Sequence, residues 1–202
     1  MLPNPLRIPY VSPSENNAMK NQVKTGTILL SEPFMLDPNF KRTAVLLVDH
    51  GEGGSIGFVL NRESDVRIDE LVSDFPEFNA PVYVGGPVGR DTVHYLHRCG
   101  DLLDGSDPVI RGVWWGGDYE RLKFLVRQEL ISPRDVRFFV GYSGWSEDQL
   151  EEEMAHGSWV TAKMDPNYLF NAEPENLWRQ VMDHKGNAYS VIADMDDEAK
   201  LN

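Results

Sequence analysis

The chain has 202 residues and sets 32 Asp and Glu against 19 Lys and Arg, a formal net charge of -13 at pH 7. That acidity argues against a nucleic-acid partner, because affinity for a phosphate backbone comes mainly from Lys and Arg, and no cluster of cations with interleaved aromatics offsets it. Hydrophobic residues make up 41% and charged residues 25%, an ordinary globular composition, and no apolar run approaches the roughly 20 residues of a membrane helix.

Residues 1–22 carry Pro3, Pro5, Pro9 and Pro13 and lack the apolar stretch of a secretory signal, so a mobile arm and a cytoplasmic location are expected. Cys99 is the only cysteine, which rules out an internal disulfide and fits a reducing compartment. Residues 23–193 are expected to form a single domain and 194–202 an acidic tail. Gly26 to Leu30 reads as a first strand stopped by Pro33. In the following loop Phe34, Met35 and Phe40 are expected to tuck onto the core, around the turn signal Asp37-Pro38.

The stretch Thr43 to Arg62, TAVLLVDHGEGGSIGFVLNR, predicts a buried hairpin. Ala44 to Val48 is continuously apolar, as in a strand covered on both faces, and Gly51, Gly53 and Gly54 permit a tight reversal into Ile56 to Leu60. Ile68 to Phe75 then predicts a short helix with Leu71 and Val72 inward. Strands follow at Val82 to Val84, Val93 to His97 and Val109 to Trp114. Asp118 predicts the N-cap of a helix to about Leu130, with Leu122, Leu125 and Val126 on one face.

Val136 to Tyr142 predicts a strand that enters a glycine turn. Ser146 and Gln149 have capping-box spacing, which starts a helix at Glu147. The acidic run Glu147, Asp148, Glu151, Glu152 and Glu153 suits the positive end of its dipole without any ligand. Trp159 and Val160 make a short strand. Pro174 opens a last helix burying Leu177, Trp178, Val181 and Met182, with Lys185-Gly186 as its stop. Strands with helices inserted, rather than alternating, predict an α+β domain with a strongly curved, mixed, barrel-like sheet and three to four peripheral helices.

Three motifs read together, GTILLSEPFMLDPNFKRTAVLLVDHGEGGSIGFVLNR, VYVGGPV with Leu96-His97, and GYSGWSEDQLEEE with Trp159, resemble the AlgH/YqgE family of bacterial proteins over about residues 25 to 182. The resemblance implies a single cytosolic α+β domain without an established biochemical activity or catalytic residues; one branch bears a name linked to regulation of alginate synthesis.

Among candidate sites, Gly141-Tyr142-Ser143-Gly144-Trp145 approaches the nucleophile elbow G-x-S-x-G but has Trp145 where glycine is required. His94, His97 and Cys99, with His50, have zinc-binding donor types. On one strand His94 and His97 face opposite ways, so no metal and no cofactor is expected. Consecutive N–H groups at Gly85-Gly86-Pro87 could cradle an anion. The expected ligand site therefore gathers Asn61, Arg62, Gly85, Gly86, Pro87, Gly141, Tyr142, Gly144 and Trp145. No complete catalytic set stands out, which favours a non-enzymatic regulatory or binding protein with a protein or small-anion partner. The alternatives are an enzyme acting on a small anion at the Gly-Gly-Pro bend, with His50 or His97 as acid or base, and a transcriptional regulator.

Overall fold

A continuous apolar run can be stable as a strand only if both of its faces are covered, and β2 (Ala44–Gly51) shows how the chain meets that demand. In the computed structural model, which describes residues 23–194, Ala44 to Val48 are all buried. β2 pairs antiparallel with β1 (Thr27–Ser31) on one side and with β3 (Gly54–Val59) on the other, across the expected glycine reversal. The arm expected over 1–22 and the tail beyond Asp194 lie outside the described residues.

The remaining elements are β4 (Glu63–Arg67), α1 (Ile68–Leu71), β5 (Pro81–Val84), β6 (Val88–His97), β7 (Ser106–Ile110), β8 (Val113–Gly116), α2 (Tyr119–Arg127), β9 (Val136–Trp145), α3 (Gln149–Ala155), β10 (Trp159–Lys163), α4 (Pro166–Phe170), α5 (Pro174–Lys185) and α6 (Asn187–Asp194). The strands run β10-β1-β2-β3-β9-β6-β8-β7 in one curled sheet, with β5 lying parallel to β9 and β4 antiparallel to β5. This is the α+β, barrel-like single domain that the sequence predicts, with six helices among the described residues. The sheet curls far enough that β1 meets β7 at its start: a Cβ on Gly26 would lie 2.3 Å from Ile110 Cγ2.

β9 holds the two halves of the sheet together. Val136 to Tyr142 pair with β6, whereas Ser143 to Trp145 pair with β3. Its alternation sends Phe139 into the barrel interior with Ile28, Leu46, Phe58 and Trp178, and Phe138 into a second core under Leu122 and Leu125 of α2. A third core gathers Trp145, Trp159 and Leu150, with Met35 and Phe40 packed against it.

Several elements depart from expectation for identifiable reasons. Gly141 to Trp145 is continuing strand rather than a turn, with Gly141 at φ 66° kinking β9 where it changes partners. Val109 to Trp114 is a hairpin, because Gly112 at φ 85° reverses the chain between β7 and β8. α1 ends after one turn when Val72 becomes extended, so Ile68 is buried and Leu71 is 44% exposed. Phe34 stays outside at 58% exposure while Met35 and Phe40 pack inward. α3 begins at Gln149 rather than Glu147. The capping box is half formed, with Gln149 Oε1 accepting from the Ser146 N–H at 3.0 Å.

Candidate functional site

Part of the expected ligand set, Arg62, Gly85, Gly86, Gly141 and Tyr142, meets through backbone contacts around the bend after β5. Gly85 N–H donates to Val140 O at 2.9 Å, Gly85 O accepts from Val59 N–H at 2.9 Å and from Ser143 Oγ at 3.1 Å, and Val84 N–H donates to Arg62 O at 2.8 Å. The bend after β5 thus crosses β9 at Gly141 to Ser143, in van der Waals contact, and the end of β3 lies alongside. Glycine is required there by space, since a Cβ on Gly86 would fall 2.2 Å from the Tyr142 carbonyl.

Their side chains diverge. Asn61 is 7% exposed, and its amide accepts from Ala44 N–H at 3.0 Å and donates to Arg42 O at 2.9 Å. With Arg62 it lines a cleft of about 590 Å³ against the start of α5, shared with Arg42, Glu63, Glu175 and Arg179. The Arg62 guanidinium donates to Lys41 O, and burial lowers its pKa. Tyr142, Gly144 and Trp145 line a different cleft, of about 470 Å³, beside the glycines of the β2–β3 reversal.

The groups with catalytic or metal-binding chemistry are engaged elsewhere. Ser143 is fully buried, its hydroxyl on Gly85 O. His97 is fully buried, with Nδ1 accepting from Cys99 N–H at 3.1 Å and Nε2 at 2.9 Å from Gly116 O, the geometry of a neutral ring protonated on Nε2. Burial lowers the pKa of His97 and of His94, whose ring packs among Phe58, Trp115 and Tyr142. His50 Nδ1 lies 2.7 Å from Ser55 Oγ. Burial and the nearby Asp135 raise the Cys99 thiol to about 11. Among the described residues no three His, Cys, Asp or Glu side chains come together as a metal site. Glu153, in the acidic run of α3, accepts from both Trp145 Nε1 at 2.9 Å and Trp159 Nε1 at 2.7 Å, which ties that helix to the third core.

A site that the sequence did not suggest lies at the seam of the barrel. The Lys24 to Thr27 turn leads into β1, where Thr27 pairs with Lys163 of β10. The end of α5 covers that edge and brings Lys185, whose Nζ donates to Thr161 O, and His184, whose Nδ1 is 2.6 Å from the Tyr168 hydroxyl. Together they line a cleft of about 540 Å³ whose lining among the described residues includes three lysines and a histidine but no Asp or Glu. None of Lys24, Lys163 and Lys185 forms a salt bridge with a described residue. Partial burial lowers the Lys185 pKa. An anion beside Lys185 would offset that desolvation. In sequence these residues stand far apart, and Lys185 is already explained as a helix stop, so no local signal marked them.

A curled α+β half-barrel with polar clefts at its seams defines the class of this protein. The DUF179, AlgH-like, family profile matches residues 28–190, and the chain belongs to that family. It is 44% identical over 180 residues to a UPF0301 protein of Chlorobaculum tepidum, covering 89% of this chain and 96% of that one. It is 41% identical over 181 residues to a UPF0301 protein of Chlorobium luteolum, covering 90% and 96%. Among solved structures, the AlgH protein of Pseudomonas aeruginosa superposes with a TM-score of 0.67 at 28% identity, over 85% of this chain and 93% of that one. A Corynebacterium diphtheriae protein superposes with a TM-score of 0.72 at 22% identity, over 89% and 96%. No helix among the described residues is long and apolar enough to cross a membrane.

Proposed function

We propose that this chain is a non-enzymatic, cytosolic regulatory domain that binds a small anion in the cleft between Lys24, Lys163 and Lys185. One observation carries the reading: in a chain of net charge -13, this cleft is lined by three lysines that form no salt bridge with a described residue, and no Asp or Glu among the described residues lines it. The hydroxyls of Thr27, Thr161 and Tyr168 add neutral hydrogen-bonding groups around the cations. The non-catalytic part of the reading is supported by Ser143 and His97, whose reactive atoms are committed to backbone partners inside the fold. A few lysines in a concavity suit a small ligand better than a DNA backbone, which needs an extended positive stripe.

The test is an amide-shift titration of the full chain with inorganic pyrophosphate at low salt. Saturable shifts confined to the Lys24–Thr27 turn, β10 and the end of α5 are expected, and they should be lost in Lys163→Glu. Saturation unchanged in that variant, or shifts centred elsewhere, would refute the assignment. A second reading keeps the anion at Asn61 and Arg62, favoured by a guanidinium that donates to the Lys41 carbonyl rather than to a carboxylate. The same titration separates the two, because Arg62→Ala should then abolish binding while Lys163→Glu leaves it intact.

A further inference from the structure

The lysine cleft does not end at the lysines. A second concavity of about 740 Å³ shares Lys24, Gly26, Lys163 and Tyr168 with it, so the two adjoin and one ligand lying across those residues could use both as a single trough. The far half is floored by Ile110, Met164 and Pro166 and rimmed by Arg111 and Asp165. Gly26 makes the junction possible. At φ 85°, and with Ile110 Cγ2 only 2.3 Å from where a Cβ would be, it lets the start of β1 lie against the end of β7, so that Ile110 comes beside Lys24, which precedes β1, and Lys163 of β10.

We propose that the ligand of this trough is a nucleoside phosphate, its phosphates on Lys24, Lys163 and Lys185 and its base and sugar on the Ile110–Met164–Pro166 shelf. This rests on the reading of the lysine cleft as an anion site and extends it from charge to ligand class. The trough supplies the two unlike surfaces that such a molecule needs: lysines that form no salt bridge with a described residue at one end, and a short apolar floor at the other. Polar groups at the far rim favour a nucleoside over an alkyl chain. Asp165 Oδ1 accepts from Asn167 N–H at 2.9 Å as the cap of α4, and its carboxylate can also accept from a sugar hydroxyl. The guanidinium of Arg111 can stack on a base or donate to its heteroatoms. The terminal methylenes of an alkyl diphosphate would meet both charged groups without satisfying either.

Isothermal titration of the full chain with four probes tests this: pyrophosphate, ADP, adenosine, and an isoprenyl diphosphate. ADP is expected to bind at least tenfold more tightly than pyrophosphate, with adenosine weaker than both and the isoprenyl compound no tighter than pyrophosphate. Arg111→Ala and Ile110→Ser should each reduce the ADP advantage while leaving pyrophosphate affinity unchanged, which also reports that the variants are folded. Equal affinity for ADP and pyrophosphate overturns the nucleoside assignment but leaves the anion site standing, as does preference for the isoprenyl compound. Failure of every phosphate probe to bind overturns both.

Discussion

The close crossing of the Gly85–Gly86 bend over β9 makes a quantitative demand on stability. In Gly86→Ala the new Cβ would sit 2.2 Å from Tyr142 C and O and 2.4 Å from Ser143 N. Carbon atoms in contact settle at about 3.5–4.0 Å, so the bend must retreat by more than about 1 Å. Three hydrogen bonds span the crossing, Val59 N–H to Gly85 O, Gly85 N–H to Val140 O and Ser143 Oγ to Gly85 O. A retreat of that size breaks or bends all three. At about 1 kcal/mol net per bond the loss is about 3 kcal/mol. For a domain of this size each kcal/mol moves the midpoint by about 2–4 °C, which predicts a fall in Tm of about 6–12 °C. Gly53→Ala is the control, because nothing lies within 4 Å of its Cβ position, and its effect should stay within about 0.5 kcal/mol. Differential scanning calorimetry of both variants decides the matter. A Gly86→Ala protein that melts with the Gly53→Ala protein would show that the bend does not pack on β9 as described.

Two titratable groups give further tests. His97 is held neutral by burial, with a pKa below the ordinary 6.5, so the unfolded chain takes up the proton first. Its stabilising share is therefore complete above 6.5 and is lost as pH falls through 6.5 toward the depressed folded value. The urea midpoint should drop on acidification through that window. His94 contributes with the same sign, so the slope should shrink but not vanish in His97→Gln, and a midpoint that rises on acidification would contradict both assignments. Cys99, with its thiol raised to about 11 from an ordinary 9.0, should react slowly with iodoacetamide near pH 8. Its thiolate fraction there is lower by on the order of 100-fold than that of an unfolded thiol, so native and urea-unfolded alkylation rates should differ on that scale. Equal rates would mean that the thiol is neither buried nor repelled by Asp135.

What could be read from the sequence was whatever a single segment determines for itself. The hairpin of β2 and β3 announces itself by five apolar residues and a glycine reversal, and α2 by Asp118, whose side chain accepts from Arg121 N–H at 2.9 Å as the cap demands. β4 gave no such sign, because Glu63 to Arg67 pairs only with β5 and shows solvent a polar face without alternation. α4 and α6 were also missed. α4 has one turn opened by Asp165-Pro166, and α6 follows Gly186, which reads as the end of a domain but only redirects the chain. Gly141 was misleading in a more instructive way. Glycine in a strand marks either a turn or a place where another backbone passes close, and only the position of Gly85 and Gly86 distinguishes the two.

The seam of the barrel raises the same ambiguity for charge. Lysine on an edge strand guards against pairing with a second sheet, and β10 is an edge whose Thr161 carbonyl is already covered by Lys185. Edge protection alone would account for Lys163 and Lys185 without any ligand. The two explanations make different demands on the sign of the charge. A guard works equally well as Glu, so Lys163→Glu should keep the oligomeric state of the unmodified protein whichever explanation holds, whereas an anion site tolerates only a cation. The cleft's lining favours the site: edge protection has no reason to keep every described Asp and Glu out of one concavity lined by three lysines. Lys24 is the sharper discriminator, since it precedes β1, whose two flanks are taken by β2 and β10, and so guards no edge.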